Sequence, residues 1–282
     1  MRTVPVPDPA HLELFNPEGS SPVLIVCDHA GRRVPGGLER LGISEEALAR
    51  HIGWDIGAAD LTRRLAQLLD APAILNHVSR LVIDPNRRPN TPTSIPEVSD
   101  DCVVPGNQGL ELDEVVERVL RYFLPYHRTV ARRIGQFRRE GVVPALIAIH
   151  SFTPRMNGED RPWQVGVLWR GDQRLSRPAL ERLEARGDLV VGDNQPYSGL
   201  RDFGFTVQFH GQRPRLPHVM IEVRQDEIDT REKAQRFAGI VHDALRGPLA
   251  DPGLYRLFEG DNLDQSGGLI SWRHASQTSP LA

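Results

Sequence analysis

Three short apolar runs in this 282-residue chain each end abruptly on ionisable side chains, and that pattern constrains the fold more than any other feature. Val23–Cys27 leads into Asp28 and His29, Ala145–Ile149 into His150, and Val219–Ile221 into Glu222. A short uninterrupted apolar run bounded by turn residues reads as a strand buried on both faces, as in parallel sheets covered by helices. Open α/β sheets collect their ligands at the carboxyl ends of such strands. A single histidine at a strand end is most simply a satisfied core residue. Three coincidences ask for a common cause.

The intervening sequence supplies helices. Ile52 to Leu69 carries a helical period through Ile52, Ile56, Ala59, Leu61, Leu65 and Leu68. Leu112 to Arg139 reads as a long amphipathic helix bent at Pro125, with further helices over Pro178–Arg186 and Thr230–Leu245. Additional strands are expected at Pro72–Leu75, Ser79–Ile83 and Gln164–Trp169. Alternating strands and helices predict an α/β fold with a mostly parallel or mixed sheet. Residues 1–282 then form a single domain, with 1–21 an irregular N-terminal arm and 261–282 a loosely ordered C-terminal tail. Residues 88–109, rich in Pro, Asn, Ser and Thr, form a long surface loop, and loops of that length are usually functional or disordered.

Composition excludes several classes. A net charge of −3 and a pI near 6.4 leave no electrostatic footprint for nucleic acid. Cys27 and Cys102 are the only cysteines, which argues for a reducing compartment and against a disulfide framework. No stretch has the length of a membrane span and the polar N-terminus lacks an apolar signal core, so a soluble cytoplasmic protein is expected. Its partner is then a small molecule; the oligomeric state is not legible.

The strand-end residues suggest a metal. Catalytic zinc takes three protein ligands from histidines and carboxylates and keeps one position open. His29 and His150 are the natural imidazole ligands. The position three residues after His29 is Arg32, which cannot ligate, so the third ligand is sought in His51-Ile-Gly-Trp-Asp55. Spaced i, i+4, these two share a face of the expected helix; Asp55 is preferred as ligand, with His51 a rival or a residue that orients it. A plain helix-surface pair is the alternative. Glu222 suits general acid–base work, taking a proton from water and passing it to a leaving amine, or else is a buried ion-pair partner of Arg224. Arg80, Asn86 and Arg87 gather near one strand end, where arginine forks bind carboxylates, and Asp84 is placed to hold one of these arginines. Tyr197, in a turn-rich loop, either closes over substrate or packs.

These residues together resemble the N-formylglutamate amidohydrolase family. Asp-His-Ala-Gly-x-x-x-Pro at 28–35 is similar to its first-histidine loop, and Gly-Trp-Asp-Ile-Gly at 53–57 to the segment that follows. Ser-Arg-Leu-Val-Ile-Asp-Pro-Asn-Arg at 79–87 is similar to the arginine segment, Ile-His-Ser-Phe-Thr-Pro at 149–154 to the second-histidine strand, and Ile-Glu-Val-Arg-Gln-Asp at 221–226 to the glutamate strand. The resemblance implies a three-layer α/β/α fold related to zinc carboxypeptidases and to the aspartoacylase and succinylglutamate desuccinylase group. It also implies one zinc ion on His29, His150 and a carboxylate, Glu222 as general base, and Arg80, Asn86 and Arg87 on the substrate carboxylate; beside it, Arg80 is expected to act in catalysis and Tyr197 to border the substrate. The expected reaction is hydrolysis of an N-acyl amino acid, N-formyl-L-glutamate first among them, to a carboxylic acid and a free amino acid. A carboxypeptidase-like peptidase on the same centre, or a carboxylate-binding protein that has lost catalysis, are the rival expectations.

Overall fold

The computed structural model describes residues 11–156, 158–200 and 204–260. Its main sheet has seven strands: β1 (Leu12–Phe15), β2 (Val23–Cys27), β3 (Ala73–Asn76), β4 (Ala145–Phe152), β5 (Val165–Leu168), β6 (Val191–Asp193) and β7 (His218–Arg224). Their order across the sheet is β1-β3-β2-β4-β7-β5-β6. The β2–β3, β2–β4, β4–β7 and β5–β6 pairs are parallel, while β1–β3 and β7–β5 are antiparallel. Every residue of β2, β3, β4 and β5 is buried, which is why these strands read as unbroken apolar runs.

Helices cover both faces. On one side α1 (Ala58–Leu69), α3 (Ser176–Glu184) and α4 (Arg231–Leu249) share a core with the sheet through Leu61, Leu65, Leu180 and Phe237. On the other, α2 (Leu124–Arg139) packs Tyr126, Val130, Ile134 and Phe137 against Leu24, Val26 and Leu146. From β2 the chain moves outward to β3, then returns past β2 to β4. The crevice between the carboxyl ends of β2 and β4 is therefore a topological switch point, where such sheets place ligands. No described helix is long and apolar enough to cross a membrane.

Several expectations need correction. The N-terminal arm is not irregular throughout, because β1 pairs with β3 from Leu12 to Phe15. Ser79–Ile83 is not a strand: Leu81, Val82 and Ile83 are buried in a third apolar cluster, but their backbone runs in turns. The helical period from Ile52 is real only from Ala58 onward, since 51–57 are turns, so His51 and Asp55 share no helix face. The long helix over 112–139 is interrupted by a π-turn at Val119–Phe123, just ahead of Pro125, whose missing N–H cannot bond back along the helix. Within the 88–109 stretch, Val98–Ser99 and Cys102–Val103 form a small hairpin. The tail from 261 onward, expected to be loosely ordered, lies outside the described residues.

Candidate metal centre

His29 follows β2 and His150 lies in β4, so the two imidazoles flank the switch point with ring centroids 5.2 Å apart. Asp55 reaches them from the turn before α1, a turn held in place because the Asp55 N–H donates to the His29 carbonyl at 3.0 Å. One ligand atom from each of His29, Asp55 and His150 lies within 4.8 Å of the others, and all three residues are buried. The Asp55 Oδ2 atom is 2.9 Å from His150 Nδ1 and 3.3 Å from His29 Nδ1. The neighbouring arginine segment is stitched to the same turn, since the Ser79 hydroxyl and the Arg80 N–H both donate to the Gly53 carbonyl.

A second carboxylate stands near the far nitrogen of each ring. His29 Nε2 faces Asp84 Oδ1 at 2.8 Å, and His150 Nε2 faces Asp28 Oδ2 at 2.9 Å. Carboxylates there are placed to keep a proton on Nε2 of each ring, which would leave Nδ1 for a metal in exchange for the proton that His150 shares with Asp55. Asp28 is itself held by two buried hydroxyls, Tyr126 and Thr206, each donating to Oδ1 at 2.6 Å. Asp84 also accepts the Asn86 N–H at 2.7 Å.

The donor set fits a cation. Four buried carboxylates, Asp28, Asp55, Asp84 and Glu222, converge around two imidazoles. A full positive charge already stands at the cluster: Arg80 Nη2 donates to His29 Nδ1 at 2.6 Å and to Asp55 Oδ1. The guanidinium thus touches atoms a metal would use and stands in for its charge. Burial pushes the Asp55 carboxyl up, but Arg80 and the imidazoles outweigh it and hold the group well below its usual range. Burial likewise opposes a charged His150, yet its bonds to Asp28 and Asp55 hold its pKa well above the ordinary value.

Glu222 lies beside His150 in the parallel β4–β7 register and is buried. Its Oε2 has no hydrogen-bond partner among the described residues. Burial, reinforced by the Asp55 charge and opposed by His150, pushes its carboxyl up to about 7. A carboxylate balanced near neutrality and short of partners is suited to moving protons.

A cavity of about 620 Å³ opens on this cluster, and Arg80, Asn86, Arg87, Tyr197 and Glu222 all line it together with the three ligand residues. Asn86 is locked by the Phe205 N–H on its carbonyl at 3.0 Å and the Thr206 N–H on its Oδ1 at 3.1 Å. Tyr197 accepts from Arg161 Nη1 at 3.0 Å, with that guanidinium 4.8 Å over its ring. One expected residue falls elsewhere, and Arg32, already set aside as unable to ligate, lies apart as well. His51 looks away to Asp100 at 3.6 Å, and Arg32 pairs with Glu45 at 3.2 Å on the surface. Asp84, expected to hold an arginine, hydrogen-bonds His29, with the Arg87 and Arg80 charges acting on it from farther off. The orienting groups Tyr126 and Thr206 escaped sequence reasoning altogether; Tyr126 sits on a helix face indistinguishable from core, and no signal marked Thr206.

Comparison with known proteins adds family context. The family model described as N-formylglutamate amidohydrolase matches residues 21–228. Among solved structures, gene product Atu2144 from Agrobacterium tumefaciens superposes with a TM-score of 0.80 at 32% identity, covering 85% of this chain and 94% of that one. An N-formylglutamate amidohydrolase from Ralstonia eutropha JMP134 superposes with a TM-score of 0.62 at 20% identity, over 85% of this chain and 97% of that one, a likeness of fold. No match is found among curated protein sequences.

Proposed function

Because the chain belongs to the N-formylglutamate amidohydrolase family and is thereby a hydrolase of amide bonds, we propose that it cleaves N-acyl amino acids, N-formyl-L-glutamate first among them, at a zinc centre held by His29, Asp55 and His150. The observation that carries this reading is Glu222, buried and short of hydrogen-bond partners in register beside His150. When bound, zinc supplies Lewis acidity to the scissile carbonyl and brings the pKa of water toward neutrality. Glu222 removes a proton from the attacking water as its oxygen bonds to the carbonyl carbon. The same carboxyl then delivers that proton to the leaving nitrogen as the C–N bond breaks, and the products are a carboxylic acid and a free amino acid. Arg87 and Asn86 hold the substrate carboxylate at the cavity wall, with the Asn86 carboxamide oxygen accepting the Thr206 N–H and its backbone carbonyl the Phe205 N–H. Arg80, once relieved of its place against Asp55, faces the charge that develops on the carbonyl oxygen. Tyr197 borders the substrate from the opposite loop.

Elemental analysis combined with turnover tests this. About one equivalent of zinc is expected in the wild type, retained in His51→Ala and lost in Asp55→Ala. Glu222→Gln should keep its zinc and lose at least about 100-fold in kcat. Near-full activity in Glu222→Gln, or zinc retained by Asp55→Ala, contradicts the assignment.

A further inference from the structure

The cavity does not stop at Glu222. Along β7 and β5, Met220 and Leu168 are register partners one step below the Glu222–Gly166 pair, on the same face of the sheet, and both line the cavity. Two residues along a strand advance about 7 Å, so this second row lies that far from the row of the general base. Leu168 and Met220 give it an apolar wall, and Asn194, the residue after β6, also lines the cavity.

Asn194 is held in a way that leaves one end of its amide unspent. Its N–H donates to the Val167 carbonyl at 3.0 Å. Its Oδ1 accepts two backbone N–H groups, from Trp169 at 3.0 Å and Gly199 at 3.1 Å. That double acceptance fixes which end of the carboxamide is oxygen. Nδ2 makes no hydrogen bond to a described residue and, unlike the fully enclosed Glu222 Oε2, keeps some solvent access although Asn194 as a whole is only 8% exposed. The loop carrying it is seated on the sheet by two glycines that are themselves register partners, Gly166 and Gly192. A Cβ on Gly166 would lie 1.8 Å from the Gln195 carbonyl oxygen, and one on Gly192 2.7 Å from Gln195 Cβ. The close approach makes the loop a wall of the cavity.

We infer that Asn194, Leu168 and Met220 form a recognition subsite for the far end of the substrate, where Asn194 donates to a carboxylate or carboxamide oxygen. The limb that reaches it spans about 7 Å, about six bonds from the reacting carbonyl, with its methylene groups against Leu168 and Met220. The inference takes only the position of the reacting carbonyl from the amide-hydrolase reading. It makes Asn194 a specificity-determining residue, because a substrate that covers this donor and lacks an acceptor takes away its water without replacing the hydrogen bond.

The test compares N-formyl derivatives of glutamate, glutamine and norvaline, whose limbs are alike in length and differ in their ends, on wild type and on Asn194→Asp. The aspartate keeps an oxygen for the Trp169 and Gly199 N–H groups and replaces the donor with a second oxygen. In wild type, kcat/KM for the glutamate and glutamine derivatives should exceed that for norvaline by roughly ten- to hundredfold. In Asn194→Asp the glutamate derivative should fall to the norvaline level or below it, while the glutamine derivative, whose own N–H₂ can donate to the new carboxylate, should rank first. The readout is the order of the three substrates, which a merely structural role would leave as it is. An unchanged order, or a common fall of all three, overturns the subsite. If wild type hydrolyses none of them, the amide-hydrolase reading fails by itself. Calorimetric titration of free glutamate, glutamine and norvaline then gives the same ranking without turnover: inversion in the variant supports the subsite, and no inversion or no binding rejects it.

Discussion

Thr206 touches both halves of the site. Its hydroxyl donates to Asp28, which orients His150, while its backbone N–H donates to Asn86, which lines the cavity. The two roles can be separated by substitution, because valine removes the hydroxyl and keeps the N–H. Thr206→Val should raise the zinc dissociation constant by about 10- to 100-fold, the usual cost of losing a group that steadies a metal ligand. Thr206→Ser should stay within about threefold, since its hydroxyl replaces the lost donor. Chelator competition measures both, and equal affinities in the two variants would show that Tyr126 alone holds Asp28. At this scale the sequence was partly readable. His29, His150 and Glu222 stand out because an ionisable residue that ends an apolar run must be partnered or functional. Which carboxylate meets which cation did not stand out: Asp84 looked like a partner for nearby arginines and serves His29, 55 residues away in the chain.

Among the elements, the least legible is the helical segment of Phe205–Val207 and Gln208–Gln212. Eight residues with a glycine and a histidine among them offer too little period to read. Yet this segment clamps the 84–87 loop twice, directly through Asn86 and again through a pair of histidines. His127 Nε2 donates to the Pro85 carbonyl at 3.0 Å, which leaves Nδ1 to accept from His210 Nε2, also at 3.0 Å. The His127 ring is therefore neutral, and burial pushes the pKa values down to about 4 for His127 and about 3 for His210, against the weaker pull of Asp28. Groups whose pKa is depressed on folding stabilise the native state above their unfolded value and lose that contribution as pH falls through the folded one. Urea unfolding should thus show stability declining between about pH 6.5 and 4. His210→Gln, which still donates to His127 but does not titrate, should reduce that slope by up to about 1.4 kcal/mol per pH unit; an unaltered slope would mean that other groups set it. Ser79–Ile83 teaches a related lesson. Its apolar residues are buried as expected, but hydrophobicity records burial and not ladder bonding, so a buried turn passes for a strand.

For the molecule as a whole, the parallel core was legible because strands covered on both faces admit almost nothing polar, and the polar exceptions then marked the switch point. What sequence could not convey is how many acids share that point. Four buried carboxylates gathered at the cluster make the native state depend on compensating positive charge. Binding a cation to the folded form alone adds about 4 kcal/mol at a thousandfold excess over its dissociation constant. With the proposed zinc bound, chelation should therefore lower the thermal midpoint by on the order of ten degrees, with recovery on adding the metal back. A midpoint indifferent to chelation would mean that Arg80 alone satisfies the cluster.

The sheet is widest in the middle and brief at its borders. Its inner β4 and β7 run for eight and seven residues, whereas the outermost β1 and β6 have four and three. A neighbouring molecule trying to extend the sheet would find only a few free backbone groups on either side. β1 thus works as a hem, sealing the margin of β3 against stray partners, and shortening the chain past residue 11 would expose that margin to self-association in a crowded solution while leaving the catalytic crevice intact.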